Sequence, residues 1–351
     1  MPSFAALKAL LAPLMGLLFC AQAFAVNSAA IEGEAAPKLL SEFGFFADGD
    51  KQEPAQGVVP YDISTTLFTD HAAKYRFVYV PPGQAAAYSA DEAFEFPVGS
   101  ALIKTFAYPA DLSKPDENVT LIETRVMLRR ADGWFAVAYV WNEDQTDAEL
   151  KIAGARRTVD TILDGAPLQI GYRVPNRNQC KACHMLNGAI VPLGPKARNL
   201  NKPFDYGGGA ENQLAHWVAA GFLSGAPDPV SAPSVPDWRD ENAPLELRAR
   251  AWLDVNCSHC HRPGGPASNS GLYLGYNETD RVALGIGKRP VAAGWASGGL
   301  SFDIEPGKPE KSIMIHRIES DRPGTMMPEL GRTVVDAKAV VLLKQWIATM
   351  R

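Results

Sequence analysis

The chain has 351 residues, 46% hydrophobic and 21% charged, with 30 glycines and 27 prolines; this supports packed cores and excludes a long coiled coil or a globally disordered chain. A formal charge of −5 gives no general attraction to nucleic acid, so no nucleic-acid partner is expected. Five cysteines are too few for a disulfide-dense scaffold, and the length suggests more than one domain.

Residues 1–25 read as a signal peptide, with one positive side chain at Lys8, an apolar run from Ala9 to Phe19, and small residues Ala23 and Ala25 ahead of Val26. The run is shorter than the roughly 20 apolar residues of a membrane span. Export with cleavage after Ala25 is therefore expected, leaving no membrane span. Bulky Phe19 ahead of Cys20 argues against a lipid anchor, so Cys20 leaves with the leader.

Residues 26–160 have strand character in runs rich in aromatic and β-branched residues: Tyr75–Val80, Ala93–Val98, Ala101–Tyr108, Thr120–Leu128 and Trp134–Trp141. Turn formers such as Pro81-Pro82-Gly83 and Ala131-Asp132-Gly133 separate them. A β sandwich or small barrel is expected here. Residues 151–168 read as a connector, and residues 161–243 as loop-heavy chain around one helix at Glu211–Leu223. In residues 244–351, helices at Leu245–Asn256 and Asp336–Met350 bracket a long loop-rich stretch.

The strongest chemical signal is Cys180-Lys181-Ala182-Cys183-His184, repeated in form as Cys257-Ser258-His259-Cys260-His261. In an exported chain Cys-x-x-Cys-His is the attachment pattern of c-type haem. Two thiols form thioethers with the porphyrin vinyl groups, and the adjacent histidine ligates the iron. The two copies use all four cysteines outside the leader, so two covalent haems c are expected, with iron ligands His184 and His261. A four-cysteine zinc site is disfavoured because the step from Cys183 to Cys257 far exceeds compact zinc-module spacing and leaves both histidines unused. A thioredoxin-like pair would need a surrounding βαβ pattern, which glycine- and proline-rich flanks do not supply.

For the second haem, Met326-Met327-Pro328 lies in a loop just before the last helix, from which a thioether can approach the opposite iron face. Met327 is the chosen ligand and Met326 the alternative. A histidine–methionine pair favours a comparatively high reduction potential. For the first haem the choice stays open: His216 on its helix, Met127 or His71 from the β-rich region, neighbouring Met185, or an iron left open. His259 is read as solvent-facing or holding a haem propionate, His316 as packed or propionate-contacting, and Lys181, Arg177, Arg262 and Arg317 as propionate counter-charges.

The stretches NCSHCHRPGGPASNSGLYL, EPGKPEKSIMIHRI and MMPELG, with LFTDHAAKYRFVYVPPG, FPVGSALIKTFAYP, IETRVMLRR, GWFAVAYVWNEDQTDA and NQCKACH, resemble a bacterial dihaem c-type cytochrome family named after a Shewanella protein. The resemblance covers most of residues 41–350. It implies a periplasmic haem protein, covalent roles for Cys180, Cys183, Cys257 and Cys260, and iron ligation by His184, His261 and Met327. FPVGSALIKTF also resembles a stretch of the β-rich cytochrome P460 fold, and the C-terminal part resembles a class I cytochrome c domain. Around the first motif the chain departs from an ordinary cytochrome c, with loop-like sequence before Cys180 and no Met-Pro loop after it.

The expected architecture is multidomain α+β: an N-terminal β-rich sandwich-like domain followed by two mainly α-helical, loop-rich cytochrome c-like haem domains, at 161–243 (atypical) and 244–351 (class I-like). The expected function is single-electron transfer between periplasmic redox partner proteins. A peroxidase-like dihaem oxidoreductase with an open first iron, and a β-domain binding protein with auxiliary haems, are the competing readings.

Overall fold

The computed structural model describes residues 25–351; the expected leader up to residue 24, with Cys20, lies outside them. Its centre is a six-stranded antiparallel sheet formed by β1 (Val58–Pro60), β2 (Ala73–Tyr79), β3 (Ala101–Pro109), β4 (Val119–Arg130), β5 (Gly133–Trp141) and β6 (Ala148–Leu150), which lie side by side in chain order. The long middle strands alternate between two buried faces. On one face Phe77, Ile103, Val126, Leu128, Tyr139 and Trp141 pack against Ile31, Leu40, Phe43 and Phe45 of the N-terminal segment. On the other, Val78, Leu102, Met127 and Ala136 meet Phe94, Leu200, Leu214 and Trp217.

A register shift between β3 and β4 at Phe106/Ala107 sets Phe106 opposite Glu123 and Ala107 opposite Leu121, leaving Ile122 as the extra residue. Ile122 joins the cluster of Phe106 and Tyr172, and Glu123 accepts a hydrogen bond of 2.5 Å from the Tyr172 hydroxyl, so two successive side chains serve one face. The cover there is a separate hairpin of β7 (Ala155–Leu163) and β8 (Ala166–Val174), whose Val159, Ile170, Tyr172 and Val174 are buried against the sheet.

Five helices follow: α1 (Arg177–His184), α2 (Gln213–Ala219), α3 (Leu245–Asn256), α4 (Ile313–Ile318) and α5 (Ala337–Ala348), together with a one-turn helix at Ala197–Leu200. α3 and α5 pack on each other around Trp252, Leu253, Leu343 and Trp346.

This architecture corrects the expected fold class. The described residues are 21% helix and 27% strand, with four substantial helices among them rather than two mainly α-helical cytochrome domains. One six-stranded sheet, with helices, loops and a hairpin as cover, replaces the expected sandwich. The physical reason is local. Residues 151–168 carry much of a hairpin instead of a connector, and position 160 falls inside β7. Beyond it, α1 stops at 8 residues because Met185 turns extended and pairs with Ile190, and α2 stops at 7 just ahead of Gly221, since glycine opposes helix propagation. Ala93–Val98, expected as a strand, makes only isolated bridges, Ala87 to Glu95 and Ala93 to Lys196.

Buried polar contacts join the sheet to the C-terminal part. Arg198 donates two hydrogen bonds of 2.9 Å to the Asp254 carboxylate on α3, and the Phe68 amide donates to the Asn256 side chain at 2.7 Å. Asp70 accepts from the amides of Thr333 and Val334 at 2.6 and 2.9 Å.

Candidate functional site

The first cysteine motif is helical. Asn176 caps α1 by accepting from the Gln179 amide, while the Gln179 side chain accepts from the Asn176 amide, both at 2.9 Å. The helix therefore starts just ahead of Cys180 and carries Cys180, Cys183 and His184 before ending. The second motif is a turn at the C-terminus of α3, in which the amides of Cys260 and His261 donate to the Cys257 carbonyl at 3.1 and 2.9 Å.

The structure brings the two motifs into contact. Cys260 Sγ lies 3.9 Å from the carbonyl oxygen of Ala182, the residue next to Cys183. The two thiols act on each other, Cys260 drawing the Cys183 thiol down and Cys183 pushing the Cys260 thiol up. Burial raises the other two thiols, Cys257 to about 12. All four are free thiols. Among the described residues no group of three or more His, Cys, Asp or Glu side chains is arranged to hold a bare metal ion.

A cavity opens beside each motif. The first, of about 760 Å³, has a floor on the sheet formed by Leu102, Lys104, Arg125, Met127 and Trp134, and Cys183, His184 and the strap from Met185 to Lys196 close it. The second, of about 430 Å³, is lined by Cys257, Cys260, His261, Leu274, Arg317 and Met327. Cys183 and His259 border both. Both volumes fall in the range of about 300–1,000 Å³ typical of ligand and cofactor sites.

The two motif histidines are set alike. His184 Nδ1 donates to the Val191 carbonyl at 2.8 Å. His261 Nδ1 donates to Ser270 Oγ at 3.1 Å, and that hydroxyl donates onward to Ala267 at 2.7 Å. Each bond fixes a tautomer in which Nε2 is the free donor atom. Burial pushes both imidazoles down to about 4, so they are neutral near pH 7.

Of the two neighbouring methionines, Met327 lines the second cavity, whereas Met326 is buried outside its lining. His216 lines neither cavity: its ring stacks on Tyr206 at 3.6 Å between centroids, and Nδ1 bonds Glu211 at 2.8 Å. His71 packs edge-on against Phe68 at 5.1 Å, also away from both. His316 packs on Gly298, Lys181 is exposed, and the Arg177 guanidinium lies 4.6 Å from the Phe135 ring centroid. Arg262 borders the first cavity and is held by Glu92 at 3.1 and 3.2 Å.

Sequence reasoning missed the cationic floor. Lys104 and Arg125 face each other across β3 and β4, and both pack on Phe106, at 4.9 and 4.2 Å from its ring centroid. Buried Glu123 accepts from Arg125 Nε at 3.0 Å. Burial, with Arg125 alongside, pushes the Lys104 amine down to about 7. The signal lay in charged residues alternating with apolar ones within otherwise buried strands. Helices long and apolar enough to cross a membrane are absent among the described residues. Comparison of the chain with protein-family models, with curated proteins and with solved structures found no match.

Proposed function

We propose that the protein is a periplasmic dihaem c-type cytochrome that passes single electrons between redox partner proteins. The observation that carries this reading is the convergence of the two Cys-x-x-Cys-His motifs where Cys260 meets Ala182, each motif with its own cavity.

The residues present fit two haems. Each cavity has a neutral imidazole whose Nδ1 is engaged and whose Nε2 is free. The first pairs apolar walls, Leu102, Met127 and Trp134, with the cations Lys104, Arg125 and Arg129, a combination suited to a flat apolar macrocycle bearing carboxylates. The second offers Met327 as a thioether ligand and Arg317 as a cation. Arg317 Nε is itself held by the Thr325 carbonyl at 2.9 Å, which fixes its position.

A haem held in this way supplies a one-electron iron couple. The chain's own part is to hold each imidazole in one tautomer and to anchor the motifs. The Arg198–Asp254 pair ties the second motif to the one-turn helix at Ala197–Leu200, since Asp254 also accepts from Ser258 Oγ of that motif at 3.2 Å. Intact-protein mass after periplasmic expression tests the reading: the added mass of two haems supports it, and its absence rejects it.

A further inference from the structure

We propose that Met127 would hold the iron of the first site together with His184, as its second protein ligand. The inference rests on the dihaem reading and goes beyond it, because it closes the iron that the sequence left open.

Met127 lies in β4, in the interior of the sheet, with Leu102 and Ala136 directly beside it on the flanking strands. It is 9% exposed and lines the same cavity as His184. A thioether on a central strand combines a soft donor with a rigid mount, and methionine's three rotatable bonds let the sulfur adjust while the backbone stays fixed.

The other donors bordering this cavity are committed elsewhere. Met185 follows His184 directly in the chain and is tied into a two-residue ladder with Ile190. His259 belongs to the second motif and borders the second cavity as well. Lys104 Nζ sits over the Phe106 ring at 4.9 Å, among other cations. His216 and His71, which the sequence offered, lie outside the cavity lining. Met127 is the neutral soft donor that the sheet presents.

Two consequences follow. Both irons then carry a histidine and a methionine, which favours comparatively high potentials at both. The first iron is also closed to exogenous ligands, which disfavours peroxidase-like chemistry.

The test uses the full-length protein exported with its haems and first checked by intact mass. Loss of the mass of either haem overturns the dihaem reading and the ligand assignment with it. With both haems present, near-infrared magnetic circular dichroism of the ferric protein should show methionine-to-iron charge transfer that falls by about half in M127L, one of two equivalent contributions being removed. M127A should in addition bind cyanide at the first iron, which the parent protein resists. M185L should leave the spectrum unchanged. An M127L spectrum identical to the parent's overturns the assignment. If M127L does not accumulate, M327L decides: a surviving methionine signature that M185L does not remove supports Met127, and complete loss of the signature rejects it.

Discussion

Cys260 Sγ lies 3.9 Å from the carbonyl oxygen of Ala182, so the last cysteine of one attachment motif rests on the interior of the other. Contact between motifs 77 residues apart, counted from Cys183 to Cys260, has a direct optical consequence. Two haems anchored there should couple electronically, giving a two-signed Soret circular dichroism band. The Cys180→Ala/Cys183→Ala and Cys257→Ala/Cys260→Ala variants should each retain one haem and show a single-signed band. A parent band that equals the sum of those two variants would refute the coupling.

The adjacent methionines should separate cleanly. Met327→Leu should remove one methionine-to-iron signature, because Met327 lines the second cavity. Met326→Leu should leave the spectrum intact, because Met326 is packed outside that lining. As a near-isosteric core change, the latter should cost less than about 1.5 kcal/mol in urea unfolding.

Asp254→Asn should destabilise the fold by about 3–5 kcal/mol, the usual cost of leaving one partner of a buried ion pair uncompensated. Both side chains are almost fully buried, at 6% and 3% exposure. Burial pushes the Asp254 carboxyl up, but its hydrogen bonds and the Arg198 and Lys196 charges outweigh this and hold it below its usual range. A depressed folded-state value means that the stabilisation is complete above the unfolded value of about 3.9 and is lost as pH falls through the lower folded value. The parent should therefore lose stability on acidification to about pH 3 more steeply than Asp254→Asn does. Urea midpoints against pH measure this; parallel curves would contradict it.

His216→Ala should leave the haem spectra unaltered. It removes the stack on Tyr206 and the bond to Glu211, at a cost of about 1 kcal/mol. A changed first-site spectrum would show that this histidine reaches the iron after all.

How much of this was legible depends on where local chemistry was strong. β3, β4 and β5 lie within a residue or two of their expected ranges because their aromatic and β-branched runs are long and bounded by turn residues. α3 coincides with its expected range, Leu245–Asn256. The β7–β8 hairpin was read as a connector because β7 exposes Arg156, Arg157, Thr158 and Asp160 and buries little. Its turn was nevertheless readable: Asp164-Gly165 takes positive φ at both residues, 50° and 81°, as the preferred two-residue hairpin turn demands. The cysteine motifs were visible because their chemistry is contiguous in sequence. Met127 could be offered but not singled out, and the Lys104–Arg125 floor was not visible, because only strand pairing brings them to the cavity that His184 borders from more than 50 residues away.

The extra residue at Ile122 turns Glu123 beneath the hairpin, where Tyr172 and Arg125 hold it out of water. Oε2 of Glu123 is buried without a partner, so its charge is felt along the floor at low dielectric. The hairpin thus acts as a remote screen: trimming or loosening it would admit solvent to Glu123 and weaken the field across the first cavity without altering a single residue that lines it. Tuning of that site is in this sense delegated to a stretch of chain that never touches it.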